Sequence, residues 1–289
     1  GVSGVGTLHT VTRLDDLRRA TDALRDKGTL ALVPTMGALH EGHLTLVREA
    51  REHAEHVAVS IFVNPRQFGE NEDLDAYPRQ MARDTALLEE EGVALLWAPP
   101  PEEVYPAGYA TNISVAGISE GLCGSDRPGH FDGVATVVCK LFNQVRPDSA
   151  LFGEKDWQQL AVIRRMARDL DLTLPHVDRI IGVPIVREDD GLAMSSRNAY
   201  LSPAQRAQAA ALPRLMRETI ARLIGGDPVE NALRRLQKEL VEAGFDSVDY
   251  ADLRRGADLQ TTREIGPDNR LFVAARIGGT RLIDNMPVG

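Results

Sequence analysis

An α/β fold is what this sequence predicts: a Rossmann-like doubly wound parallel sheet followed by a smaller C-terminal α+β domain. Three observations carry that reading. Strand-length apolar runs alternate with segments of helical period through roughly the first 185 residues, the grammar of βαβ units. After Ser202 the pattern changes to long helices and then three strand-like runs around a Gly-Gly turn. A chain of 289 residues is long enough for two cores, and 43% hydrophobic with 26% charged residues is ordinary globular composition.

The central unit is the apolar run Leu30–Val33, a Pro34–Gly37 break, and a helical pattern through Leu44 and Val47. Next comes His56–Val63, nearly continuously apolar, as a strand covered on both faces is. Asn64-Pro65 stops it and a polar loop, Arg66–Asp73, follows. A helix is expected from about Gln80 to Glu91, ended by Gly92, and a strand over Val93–Ala98. Further expectations are a short strand at Thr111–Val115, a helix over Val134–Val145, a strand at Ala150–Gly153, a helix over Trp157–Leu170 and a strand within Val177–Val183.

In the second half, Ser202-Pro203 caps a single Ala-rich helix expected to reach Ile224, and Asp227-Pro228 caps a second that ends at Gly244. Strands are expected at Ser247–Leu253, Leu271–Ala275 and Thr280–Ile283, the last two joined by a hairpin at Gly278-Gly279. The domains divide as residues 1–185 and 186–289, with the boundary near Pro184–Arg187. The Gly-rich opening, Gly1–Gly6, reads as a flexible end or an added tail.

Charge and cysteine content narrow the partners. A net charge of −9 without any Lys/Arg run disfavours nucleic acid, whose phosphates demand a basic surface. An acidic chain that binds a small polyanion must gather its few cations in one pocket. No apolar run approaches a membrane span, and no signal segment opens the chain. Cys123 and Cys139 are too few for a disulfide framework and fit a reducing, cytoplasmic setting. Cys139 lies in an apolar helical pattern and reads as core.

His40-Glu41-Gly42-His43 begins the helix after the central strand. Orphan N–H groups and the positive dipole end gather there, a setting for an anion. Histidines three apart share a helix face, and Gly42 keeps a side chain out of a phosphate's approach. Exposed helix-start histidines and a metal site are the alternatives, although zinc needs further ligands that no neighbouring cluster supplies. Ligands in a doubly wound sheet bind beyond the strands' carboxyl ends. The loops placed there are Pro34–His43, Asn64–Phe68, Gly153–Gln159 and Pro184–Asn198.

Four segments in order, Pro34–His43, Ile61–Phe68, Phe152–Gln159 and Asp190–Asn198, resemble the pantothenate synthetase (pantoate–β-alanine ligase) family of the His-x-Gly-His superfamily. The resemblance runs from about residue 8 to 285. It implies an ATP-dependent ligase that condenses pantoate with β-alanine through a pantoyl adenylate, releasing AMP and pyrophosphate. Carried over by position, His40, His43, Lys155, Ser195, Ser196 and Arg197 contact the phosphates. Gln67 and Gln159 hold pantoate oxygens, with Pro34 and Met36 lining its pocket. Gly42, Gly153, Asp156, Val183 and Met194 face the nucleotide. Asp84 is the candidate for water-mediated Mg²⁺, although Arg83 stands where some relatives are acidic. Trp157 replaces a frequent tyrosine and is expected to pack, and His130 is expected to be structural. The resemblance also implies a homodimer and a C-terminal domain that closes as a lid. The rivals are an adenylyltransferase that retains the nucleotide, a non-catalytic nucleotide-binding module, and a class I aminoacyl-tRNA synthetase fragment.

Overall fold

The computed structural model describes residues 7–69, 74–75, 77, 79–127 and 129–289. The Gly-rich opening and residues 70–73 of the loop after Asn64 lie outside them. In chain order the elements are β1 (His9–Val11), α1 (Leu14–Arg25), β2 (Leu30–Thr35), α2 (Glu41–His53), β3 (His56–Ile61), α3 (Met81–Glu90) and β4 (Leu95–Trp97). There follow α4 (Pro101–Val104), α5 (Cys123–Asp126), α6 (His130–Val145), β5 (Ser149–Gly153), α7 (Trp157–Asp169) and β6 (Ile180–Val183). The second half comprises α8 (Pro203–Ala209), α9 (Ala211–Ile224), α10 (Val229–Glu242), β7 (Ser247–Arg255), β8 (Gly266–Ile277) and β9 (Thr280–Val288).

Among the described residues six strands form a parallel sheet in the order β1-β4-β3-β2-β5-β6. The chain winds outward from β2 in both directions, so the switch point lies between β2 and β5. Side chains alternate across β2. Leu30 and Leu32 enter the core under α1, α6 and α7, while Ala31 and Val33 enter the core under α2 and α3. Both faces are therefore covered, as a parallel sheet requires. Trp97 at the end of β4 is fully buried and keeps its indole N–H satisfied on Gln144 Oε1 at 3.0 Å.

The smaller half is an antiparallel sheet, β7-β8-β9, against which α9 and α10 pack. Its hairpin turns at Gly278-Gly279 with φ of +56° and +80°, the left-handed pair of a type I′ turn.

Several expectations shift. Thr111–Val115 is not a strand, because Ile113 N–H donates to Thr136 Oγ1 at 2.9 Å instead of joining a ladder. The long helix after Ser202 is two helices, α8 and α9, parted at Ala210. Pro213 is the cause: it has no N–H for the carbonyl of Ala209 and its ring crowds that oxygen. Ser202 caps α8 as expected, whereas Asp227 does not cap α10, whose preceding residue Pro228 makes no side-chain cap. No described helix is long and apolar enough to cross a membrane.

Candidate active site

A cavity of about 290 Å³ opens beyond the carboxyl ends of β2, β3, β5 and β6, beside the switch point. Its first wall follows β2. Thr35 Oγ1 donates to Ser60 O (2.8 Å) and accepts from Gly37 N (3.1 Å), turning the chain sharply. Gly37 and Ala38 both take positive φ, +83° and +52°, and an alanine resists that conformation. Asp84 on α3 offsets the strain. Its buried carboxylate accepts from Ala38 N and Leu39 N, each at 2.9 Å. The loop so pinned delivers His40 to the N-cap of α2.

The two imidazoles are fixed by backbone amides. His40 Nδ1 accepts from Gly42 N at 3.0 Å, and His43 Nδ1 accepts from His40 N at 3.1 Å. With Nδ1 an acceptor in both rings, the proton sits on Nε2, and each Nε2–H is the nitrogen left for a ligand. The rings lie 4.1 Å apart. Burial, with Lys155 and Arg83 nearby, lowers the His40 pKa to about 4. Burial, with His40 and Lys155 nearby, lowers that of His43 to about 3. Both are therefore neutral donors at pH 7, and not cations. Gly42 has a nearer reason than a phosphate for lacking a side chain: a Cβ there would stand 2.6 Å from His40 Cε1.

The second wall follows β3. Asn64 is buried, and its Nδ2 donates to Gln67 Oε1 and to Gly133 O, both at 3.0 Å. Its Oδ1 accepts from Tyr105 O–H at 2.7 Å. Because the Gln67 oxygen is occupied, its Nε2 donors are the end presented to the cavity. Gly133 on α6 lets this turn sit close, since a Cβ would meet Arg66 O at 2.3 Å.

The remaining walls come from β5, β6 and the smaller half. Gly153 ends β5, Lys155, Asp156 and Gln159 follow it, and Val183 ends β6. Met194 N–H donates to Val186 O at 2.9 Å, which folds Met194–Arg197 back over the cavity. Ser195 Oγ accepts from Arg197 N (3.1 Å), and Ser196 Oγ donates to Ala38 O (3.0 Å), tying this segment to the histidine loop. Neither the Lys155 ammonium nor the Arg197 guanidinium has an acidic partner among the described residues. Arg187, by contrast, is held bidentately by Asp284, both contacts at 2.8 Å.

His40, His43, Lys155, Ser195, Ser196, Arg197, Pro34, Met36, Gln67, Gln159, Gly42, Gly153, Asp156, Val183 and Met194 thus all line one cavity. Asp84 does not. Only 1% exposed and with both oxygens on amides, it positions the histidine loop from behind. No cluster of three or more His, Cys, Asp or Glu suited to a metal ion occurs among the described residues. The lining also includes Asn64, Tyr77, Arg127, His130, Arg281 and Ile283, which sequence reasoning does not assign to the site. Asn64-Pro65 signals a strand end, and nothing local shows that Asn64 is buried behind Gln67. Arg281 and Ile283 sit on β9, far away in sequence. His130, expected to be structural, brings its Nδ1 within 2.8 Å of Gln67 O.

Comparison with known proteins identifies the family. The family model described as Pantoate-beta-alanine ligase matches residues 9–287. The pantothenate synthetase of Novosphingobium aromaticivorans is 71% identical over 98% of this chain and 99% of its own, and that of Sphingopyxis alaskensis 58% over 94% and 97%. The crystal structure of pantothenate synthetase from Thermus thermophilus superposes with a TM-score of 0.88 at 46% identity, covering 97% of this chain and 99% of that one. A Francisella tularensis pantoate-beta-alanine ligase, complexed with beta-gamma ATP and beta-alanine, gives 0.82 at 31% identity, covering 97% of each chain.

Proposed function

Because the chain belongs to the pantoate–β-alanine ligase family of enzymes, we propose that its cavity joins pantoate to β-alanine at the expense of ATP. In the first step a pantoate carboxylate oxygen attacks the α-phosphorus, the bond to the β-phosphate breaks, and pyrophosphate leaves. In the second the amine of β-alanine attacks the acyl carbon, loses a proton, and expels AMP. Activation is needed because a carboxylate has no leaving group of its own.

The observation that carries this reading is the pairing, in one cavity, of two cations, Lys155 and Arg197, without acidic partners among the described residues and two neutral, locked imidazole donors. Negative charge grows on the departing pyrophosphate, so donors already aimed at it lower the barrier without reorganising. Lys155 and Arg197 supply charge, and His40 and His43 supply Nε2–H groups. On the acid side, Gln67 Nε2 meets pantoate oxygens, and Gln159, in the same lining, supplies a second carboxamide. Pro34, Met36, Val137 and Val138 form an apolar wall suited to the gem-dimethyl carbon of pantoate.

Magnesium would arrive with ATP and would supply charge neutralisation at the phosphates. The lining suits that reading through Lys155 and Arg197, cations able to face the same phosphate oxygens. Homodimerisation and closure of residues 186–289 over the cavity belong to the same proposal, with size-exclusion chromatography with light scattering as the test of the first. The chemistry is tested by pantoate-dependent exchange of labelled pyrophosphate into ATP without β-alanine. Exchange that requires some other acid, or none at all, overturns it.

A further inference from the structure

The smaller sheet does more than cover the cavity. Asn285, in the middle of β9 and 2% exposed, reaches across to the turn after β5. Its Nδ2 donates to the carbonyl oxygens of Glu154 (2.9 Å) and Lys155 (3.1 Å). Its Oδ1 accepts from Arg270 Nε at 3.0 Å. Arg270 in turn lies over the Trp157 ring at 4.1 Å, and the Trp157 indole donates to Gly256 O at 2.8 Å. The carboxamide is thus spent at both ends. Two consecutive carbonyls of the lysine turn hang on one side chain from the other half of the molecule.

We propose that Asn285 is a positioning residue that acts through Lys155, holding the turn so that the ammonium stands in the cavity. This rests on the reading of Lys155 as a triphosphate contact. Lys155 has no hydrogen-bonding partner for its ammonium among the described residues, so the backbone of its turn sets where the charge sits. A second consequence concerns motion. Any opening of the smaller half that parts Asn285 from the turn releases Lys155, so the phosphate-binding charge is in place only while the two halves are docked.

The test is a double-mutant cycle in the full chain, reading the ATP dissociation constant by calorimetry for wild type, N285D, K155A and the double variant. N285D keeps the shape of the side chain but turns an oxygen toward two carbonyls. We expect it to weaken ATP about tenfold, the scale of one or two lost hydrogen bonds. In the K155A background it should change affinity by less than about twofold, and pantoate affinity should hold in both. An equal loss in the two backgrounds, or no loss in either, overturns the proposal. Should N285D not fold, R270Q frees the other end of the same carboxamide, and its cycle with K155A is judged by the same criterion. Competitive acetylation with mass spectrometry gives a readout without ligand: relative to Lys27, Lys140 and Lys238, Lys155 should label at least about threefold faster in N285D. Unchanged labelling also overturns the clamp. Absence of pantoate-dependent exchange in the wild type instead counts against the ligase reading alone.

Discussion

Replacing Asp84 separates two roles that a carboxylate near a triphosphate can have. In the structure it accepts two amide N–H groups at 2.9 Å with 1% exposure, and one belongs to Ala38 at φ +52°. Asp84→Ala leaves both donors unpaired, the Leu39 amide buried and the Ala38 amide partly so, at about 1–3 kcal/mol each. A loss of roughly 2–6 kcal/mol is therefore expected, a large share of a typical domain's stability of about 5–15 kcal/mol. Asp84→Asn keeps one acceptor but turns an NH₂ toward the other amide, so about 2 kcal/mol is expected. Urea unfolding at pH 7 measures both. Because the pinned loop carries His40, a shift on the order of 1 Å should lower the exchange rate about 10²-fold. The magnesium concentration for half-maximal exchange should stay unchanged. An Asp84→Asn variant as stable as wild type, or one restored by excess Mg²⁺, would show instead that the carboxylate serves the ion.

Other outcomes follow from the same geometry. His43→Ala should leave the fold intact and reduce exchange turnover roughly 10²–10³-fold, the scale for one preorganised donor, and a change under about threefold removes the residue from that role. The imidazole pKa values set a stability slope: a histidine lowered from 6.5 when folded contributes fully above 6.5 and loses that contribution as pH falls toward the folded values of about 4 and about 3. Each ring should therefore cost up to about 2 kcal/mol between pH 7 and about pH 5, and a His40→Asn/His43→Asn double variant should flatten that slope in denaturant titrations. For Asn64→Asp, which removes the donor to Gln67 Oε1, the pantoate KM should rise about tenfold with little change in ATP KM. Parallel changes in both constants would contradict the assignment of Gln67 to the acid.

The sheet is legible in the sequence because its strands obey simple periods. β2, β3 and β5 are apolar runs covered on both faces, and their helices carry one apolar stripe each. The opening β1 gives no comparable signal, being three residues long at the sheet edge. α1 is different: Leu14, Leu17, Thr21 and Leu24 recur at helical spacing along its inner face, so its period is legible in the sequence. Thr111–Val115 has alternation, yet pairing needs a free strand edge, and the Thr136 hydroxyl takes the Ile113 amide instead. Pro213 is visible in the sequence, and its consequence one turn earlier follows from the ring geometry alone.

Within the site, residue identities are legible in the sequence and their states are not. Motif order brings His40, His43, Lys155 and Arg197 to one cavity, but it says nothing about desolvation. A cup of four cations, the natural reading of an acidic chain that binds a polyanion, is in the structure two cations and two neutral rings. That difference has chemical content. Four fixed charges at this spacing would repel one another in the empty site and hold pyrophosphate after it had left. In the proposed reaction, neutral Nε2–H donors locked through Nδ1 would strengthen as charge develops on the leaving group and add no charge that would retain it. Of the groups that enforce this state, Asp84 behind the loop belongs to no substrate-binding motif, and the amides of His40 and Gly42 act through the backbone of theirs. Long-range contacts of this kind, Asn285 with Lys155 among them, join positions 130 residues apart. No local pattern encodes them, so the chemistry of the site depends on parts of the chain that motif reading passes over.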